Sequence, residues 1–130
     1  DEAFTRVAVR ERLLPLIGEI FGRDPVPLLN RHADLVADML DVVQAQAATL
    51  DPTDATALRG APRAVASEAV REWLRDETGS THPVDAASIG RVLAVAANDI
   101  VATEVNGGSR VARTGGVLRV EPGSASAPQG

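Results

Sequence analysis

Apolar residues recur at intervals of three and four along the first half of the chain, which is the spacing of amphipathic helices. The first predicted helix covers about 5–21, with Val9 and Leu16 on its apolar face, and Pro15 is expected to kink or divide it. The second is a long helix over about 25–51 with a narrow apolar seam. We expect this seam to pack against sister helices in one core, with a dimeric coiled coil as the alternative.

Two shorter helices are predicted in the middle of the chain. The third starts near Pro62 and carries Trp73 as a core anchor. Its outer face is predicted to hold charges that can pair with one another, namely Glu68, Arg71, Glu72 and Arg75. The fourth helix begins after Asp85, a suitable N-cap residue. Its inner face is predicted to consist of Ile89, Val92, Leu93, Ala96 and Ile100.

From about residue 102 the pattern changes to short β segments separated by Asn-Gly-Gly and Thr-Gly-Gly, which are hairpin signals. The predicted strands are Thr103–Val105, Arg110–Ala112 and Val117–Val120. The fold class is therefore mainly α: a four-helix domain with one long helix, followed by a small antiparallel β-meander. We expect one domain over residues 1–121, with the meander at about 102–120, and a disordered tail over 122–130 because that segment is rich in Pro, Gly and Ser.

Composition limits the classes of function. The chain has 130 residues and no cysteine, which excludes disulfides and thiolate metal sites. All 13 basic residues are arginine, and 18 acidic residues give a net charge of −5, so any RNA contact must be local or shared with another domain. No apolar run approaches the length of a membrane span, and a soluble, cytoplasmic protein is expected. Because the first residue is Asp, we expect the chain to be part of a longer one.

No constellation of catalytic residues is recognisable. His32 and His82 have no nucleophile or carboxylate partner nearby in sequence, and the glycine pairs lie in predicted hairpin turns, not before a helix. We therefore predict no catalytic residue, no cofactor site and no metal site in this chain.

Arginines are the candidate binding residues. At 100° per residue, Arg6 and Arg10 extend an apolar face, where their stems can lie along a core or their heads can reach an anion across a domain interface. Arg110, Arg113 and Arg119 lie close together in the predicted meander. They can contact phosphates or simply keep an edge strand soluble, and an offset of three puts Arg110 and Arg113 on opposite faces of a regular strand.

The segment Arg6-Val-Ala-Val-Arg-Glu-Arg-Leu-Leu-Pro15 resembles Arg-Asn-x-Ile-Arg-x-x-Leu-Leu-Pro, by which tRNA(Ile)-lysidine synthetases pass from the catalytic into the helical domain. Val7 replaces the family's asparagine. Further similar stretches follow in the family's order: 28–35, 70–74, His82-Pro83 before 91–95, and 105–113 through 118–120.

The resemblance implies a part of an enzyme that uses ATP and lysine to convert the wobble cytidine of a CAU anticodon to lysidine. The family's ATP-binding PP-loop, Ser-Gly-Gly-x-Asp-Ser, is absent here. The chain is thus expected to be a non-catalytic substrate-binding region, with ATP and magnesium bound by the missing catalytic domain. Its expected partners are tRNA(Ile) with a CAU anticodon and the N-terminal PP-loop domain of the same polypeptide. The alternative is a helical dimerisation or adaptor module with no RNA role.

Overall fold

The computed structural model describes residues 2–123, which form five helices and a three-stranded antiparallel sheet. These residues divide into two compact units, one through Asp41 and one from Val42. The prediction of a mainly helical chain with a C-terminal meander is confirmed. The number of helices is five instead of four.

The first helix consists of three continuous segments: α1 (Glu2–Ala8), a π-helical turn (Val9–Leu13) and α2 (Leu14–Phe21). In the π turn the N–H of Leu14 donates to the carbonyl of Val9, a hydrogen-bonded ring one residue larger than in an α-helix. The cause is Pro15, which has no N–H and whose ring would clash with the preceding turn of a regular helix. The expected disturbance at Pro15 thus takes the form of a π turn.

Gly22 ends α2 in the left-handed conformation, with φ of 71°, and the chain then turns into α3 (Val26–Ala47). The Asp24 side chain accepts a hydrogen bond of 3.0 Å from the N–H of Val26 at the start of this helix. The long helix is four residues shorter at its C-terminal end than the predicted 25–51. After Ala47 the chain forms a turn, in which the N–H of Leu50 donates to the carbonyl of Ala47 at 3.0 Å. Pro52, which has no N–H, cannot continue the helix beyond this turn.

Three helices follow in the second unit: α4 (Ala55–Gly60), α5 (Arg63–Thr78) and α6 (Ala86–Ala96). Helix α4 was not predicted; its N-cap is Asp54, whose side chain accepts hydrogen bonds from two backbone N–H groups. Asp85 caps α6 as predicted, accepting a 2.6 Å hydrogen bond from the N–H of Ser88.

The sheet has the order β1 (Ala102–Val105), β2 (Ser109–Thr114), β3 (Val117–Pro122), with regular antiparallel registers throughout. Gly115 and Gly116 join β2 to β3 with φ of 60° and 81°, as a two-residue hairpin of type I′ requires. The strands are longer than predicted, and Pro122, expected in the tail, ends β3. Residues 124–130 of that predicted tail lie outside the described residues.

The core of the second unit joins α4, α5 and α6 to one face of the sheet. Its fully buried aliphatic side chains include Val70, Leu74, Val92, Val111 and Leu118. Trp73 is half-buried against this core, and Ala47 at the end of α3 packs with Val65 and Ala69. Burial of these side chains is the main favourable contribution to folding in this unit.

Two predictions about helix faces are wrong. Glu68 is buried, not on the outer face of α5, because it accepts from Gln44 Nε2 at 3.4 Å and pairs with Arg71. Burial of a carboxylate is tolerable when both its oxygens have partners. Ile100 is exposed and lies beyond the end of α6, because Asn98 adopts a positive φ of 66° and turns the chain.

Candidate interaction surfaces

The first unit exposes its apolar side chains. No described residue from Glu2 to Asp41 is buried. We call the large exposed apolar residues of this unit the exposed apolar set: Phe4, Val7, Val9, Leu13, Leu16, Ile20, Phe21, Val26, Leu28, Leu29, Leu35, Val36, Met39 and Leu40. Exposed apolar residues in such number indicate an interaction surface, because scattered single residues are normal but extended patches are not.

The expected burial of the α3 seam is therefore wrong over most of its length. Two of its apolar residues, Leu40 and Val36, are 43% and 61% exposed. The seam becomes half-buried at Val43 and buried at Ala47, where α3 meets α5. The periodicity identified the apolar face of the helix correctly but did not reveal that little of the described chain covers it.

Two open grooves lie within the first unit. The larger encloses about 470 Å³ between Ile17 and Phe21 of α2 and Leu28 of α3, and Arg23 and Arg31 stand on its lining. The smaller, about 330 Å³, is lined by Leu14, Pro15, Gly18, Pro25 and neighbouring residues. Both grooves combine aliphatic walls with charged side chains.

Arg6 and Arg10 differ in their surroundings. Arg6 is highly exposed and forms an ion pair of 3.6 Å with Glu2, one helical turn earlier. Arg10 lies on the lining of the smaller groove. Their predicted placement on an extension of the apolar face assumed a regular helix of 100° per residue, and the π turn at Val9–Leu13 shifts that placement by one residue. Their role at a domain junction stays a prediction.

The meander arginines are split between the two faces of the sheet. The register places Arg110 on the outer face, directly opposite Glu104 and Glu121. Arg119 is on the same face, 3.1 Å from the Glu121 carboxylate, and also donates to Thr114 Oγ1. Two arginines and two glutamates therefore balance on this face. The three arginines predicted to act together do not form one cationic cluster, and tRNA contact by them stays a prediction.

Arg113 extends from the opposite side of β2, as an offset of three in a regular strand requires. It lies at the hairpin end of the strand, where its guanidinium donates to Asn98 Oδ1. Asn98 is the residue with positive φ that follows α6. Arg113 thus connects the end of a helix to the sheet.

A cleft between the α4–α5 connection and α6 was not predicted. It encloses about 240 Å³, and its apolar lining includes Leu58, Ala66 and Leu93. Arg59 and Arg63 belong to the same lining. The sequence signal was only two arginines four residues apart around Gly-Ala-Pro, and their convergence on one cleft depends on the packing of α6.

The two histidines remain apart from any catalytic arrangement in the described chain. His32 is exposed on α3, and the backbone N–H of His82 donates to Ser80 Oγ in a surface loop. Within residues 2–123, no group of three or more acidic, histidine or cysteine side chains is placed to hold a metal ion. None of the described helices is long and apolar enough to span a membrane.

Comparison with known proteins gives one partial similarity. A tRNA(Ile)-lysidine synthase from Corynebacterium glutamicum is 41% identical to the chain over 44 residues. The aligned stretch is 34% of this chain and 14% of the synthase. No family model matches the chain, and no solved structure matches it. The similarity thus supports a relationship to that synthase over a third of the chain.

Proposed function

We propose that this chain is a substrate-binding region of a tRNA(Ile)-lysidine synthase, acting with a PP-loop catalytic domain on the same polypeptide. The observation that carries the proposal is the 41% identity to such a synthase over 44 residues. In this proposal the chain holds tRNA(Ile) with a CAU anticodon, while the catalytic domain binds ATP and magnesium and performs the chemistry.

The exposed apolar set supports the domain-docking half of the proposal. Aliphatic and aromatic side chains such as Ile20 and Phe21 are 67% and 73% exposed. Covering them with another domain removes apolar surface from water and so lowers the free energy. Arg10 on the smaller groove would be brought to the edge of that contact. The apolar residues would supply affinity, and the arginine would meet an anion of the catalytic domain.

The net charge of the chain limits how it can hold RNA. At −5 it offers no general attraction to phosphates, so binding must rely on local arginines. Arg110, Arg113 and Arg119 are the proposed tRNA-contacting residues of the meander. Because Arg119 already pairs with Glu121, its contribution is expected to be smaller than that of Arg110.

The test is tRNA binding by the longer synthase polypeptide across a salt series, comparing wild type with Arg110→Ala and Arg113→Ala. Each lost phosphate contact should reduce the magnitude of the slope of log affinity against log salt concentration by about 0.7–0.9. It should also weaken the binding of all tRNAs by a similar factor. Arg75→Ala, on an exposed part of α5, is the matched control for removal of one charge. Unchanged slopes in both meander variants would remove the meander from the binding surface.

Two measurements on the 130-residue chain complete the test. It should catalyse neither ATP–pyrophosphate exchange nor lysidine formation, and robust turnover would contradict the assignment. Sedimentation over a concentration series should give a monomer or weak, concentration-dependent association. A stable dimer with no affinity of the longer protein for tRNA would instead identify a dimerisation module.

A further inference from the structure

The cleft between the α4–α5 connection and α6 combines an apolar floor with two cations. Leu58, Ala66 and Ala96 form the buried part of its lining, being at most 3% exposed. Arg59 lies in the last turn of α4 and Arg63 is the first residue of α5, and both belong to the lining of this cleft.

These arginines differ from most others in the second unit. Arg71 and Arg119 pair with glutamates, Arg91 donates to Ser88 and Thr103, and Arg113 donates to Asn98. Within the described residues, Arg59 and Arg63 form no ion pair. Arg59 makes one long contact of 3.4 Å with Thr56 Oγ1. Their guanidinium groups therefore keep their hydrogen-bonding capacity for a ligand.

The Arg63 side chain lies beside Gly90 of α6. A Cβ atom placed on Gly90 would lie 3.9 Å from Arg63 Nη2, so the guanidinium rests against the backbone of α6 at the side of the cleft. A glycine at this position weakens the helix by itself.

We propose that this cleft binds a single nucleotide of an RNA strand, with the phosphate held by Arg59 and Arg63 and the nucleoside seated on the apolar floor. Guanidinium groups bind phosphate oxygens through two parallel N–H donors and also stack on bases. The half-buried aliphatic side chains of the lining, Ala61, Leu93 and Ala97, can contact the apolar face of an unstacked base. This inference rests on the proposed function, because it assigns a second contact to the same tRNA ligand.

The volume of the cleft limits its occupant. At about 240 Å³ it is smaller than the usual range for drug-sized ligands, about 300–1,000 Å³. This volume matches a ligand group of about the size of a nucleobase. The apolar part of the cleft would contribute nothing to the affinity for inorganic phosphate, so a nucleotide should bind more tightly than free phosphate.

The first experiment is an NMR titration of the isotope-labelled 130-residue chain with adenosine 5′-monophosphate and, separately, with inorganic phosphate. The nucleotide should shift the amide signals of Ala61, Leu93 and Ala97, and Arg59→Gln with Arg63→Gln should abolish these shifts. Ala97→Met, which narrows the cleft without changing its charge, should weaken the binding of the nucleotide but not the binding of phosphate. Equal shifts from both probes, or no shift at the cleft, would overturn the proposal.

The second experiment measures tRNA binding by the longer polypeptide. The Arg59→Gln, Arg63→Gln double variant should reduce the magnitude of the salt slope by about 1.4, since two single-strand contacts are lost. Arg75→Gln is the control, and equal urea midpoints establish that the variants fold. An unchanged slope in the double variant would show that the cleft does not contact tRNA, but would leave the proposed function intact. Failure of the wild type to bind tRNA would contradict the proposed function. The nucleotide titration would still show whether the cleft binds a nucleotide.

Discussion

The Arg119 guanidinium lies 3.1 Å from the carboxylate of Glu121 two residues later on the same strand, and Glu121 also stands opposite Arg110. Glu121 therefore neighbours both arginines of the outer face of the meander, where Glu104 also stands opposite Arg110. If this face contacts tRNA, Glu121→Gln should strengthen binding and steepen its salt dependence, because both arginines become available to phosphates. The measurement is tRNA affinity of the longer protein at several salt concentrations.

Glu77→Gln provides the matched control, since Glu77 is an exposed acid in the last turn of α5 and its neutralisation changes the net charge equally. The two variants should differ in affinity. Equal strengthening by both would mean that overall charge, and not the meander, determines the effect.

Truncation of Leu74 should lower the stability of the protein much more than truncation of Leu40. Leu74 is fully buried in the core of the second unit, so Leu74→Ala should lower the free energy of unfolding by about 2–5 kcal/mol. Leu40 is 43% exposed, and its replacement by Ala should change stability by no more than about 1 kcal/mol. Urea unfolding of the 130-residue chain distinguishes the two. A large loss for Leu40→Ala would mean that α3 is covered by a second copy in solution.

Acid should weaken the cap of α6. The N–H of Ser88, hydrogen-bonded to the carboxylate, is the main cause that lowers the pKa of Asp85 below its ordinary value. A depressed pKa contributes stability above the unfolded-state pKa, and that contribution is lost as pH falls through the folded-state pKa. Asp85→Asn retains a capping side chain but does not titrate.

The stability difference between wild type and Asp85→Asn should therefore be constant near neutral pH and shrink below about pH 4. Urea midpoints measured at descending pH give this difference directly. Asp51, whose pKa is lowered by hydrogen bonds from Thr53, is common to both proteins and cancels from the comparison. A difference independent of pH would show that the charge of Asp85 does not stabilise the helix.

If the chain docks on a catalytic domain as proposed, polar substitutions in the exposed apolar set should affect the polypeptide that contains both domains more than the chain itself. On that proposal, Ile20→Ser and Phe21→Ser should lower lysidine formation, because they would disrupt the surface that the catalytic domain covers, while the urea midpoint of the second unit stays unchanged. Val101→Ser is the control, since Val101 is a 75% exposed apolar residue of the second unit. Loss of activity in all three variants would argue against a specific docking surface.

Local chemistry was the part of the fold that the sequence could predict. The hairpin at Gly115 and Gly116 was predictable because only glycine readily adopts positive φ at both turn positions, and the Asp85 cap because its side chain satisfies a free N–H. Helix α4 was missed because six residues are too few to establish a periodicity.

Partners across tertiary space were not predictable. Glu68 is placed like its exposed neighbours in the sequence, and only the approach of Gln44 from α3 makes its burial possible. The apolar face of α3 was identified correctly, but periodicity does not specify what covers a face. Similarly, nothing local to Arg59 and Arg63 indicates that α6 completes a cleft beside them.

The segment before α4 also hydrogen-bonds to the meander. The N–H of Ala55 donates to the carbonyl of Gly116 at 2.9 Å, and the N–H of Leu118 donates to the carbonyl of Thr53 at 2.7 Å. These bonds join positions more than sixty residues apart, so β3 can complete its pairing only after most of the second unit has been synthesised. Deletion of the chain after Asp99 would leave α4, α5 and α6 with an open apolar face. The meander therefore cannot be removed without exposing this face. Versions of the protein that end before the meander should aggregate during expression.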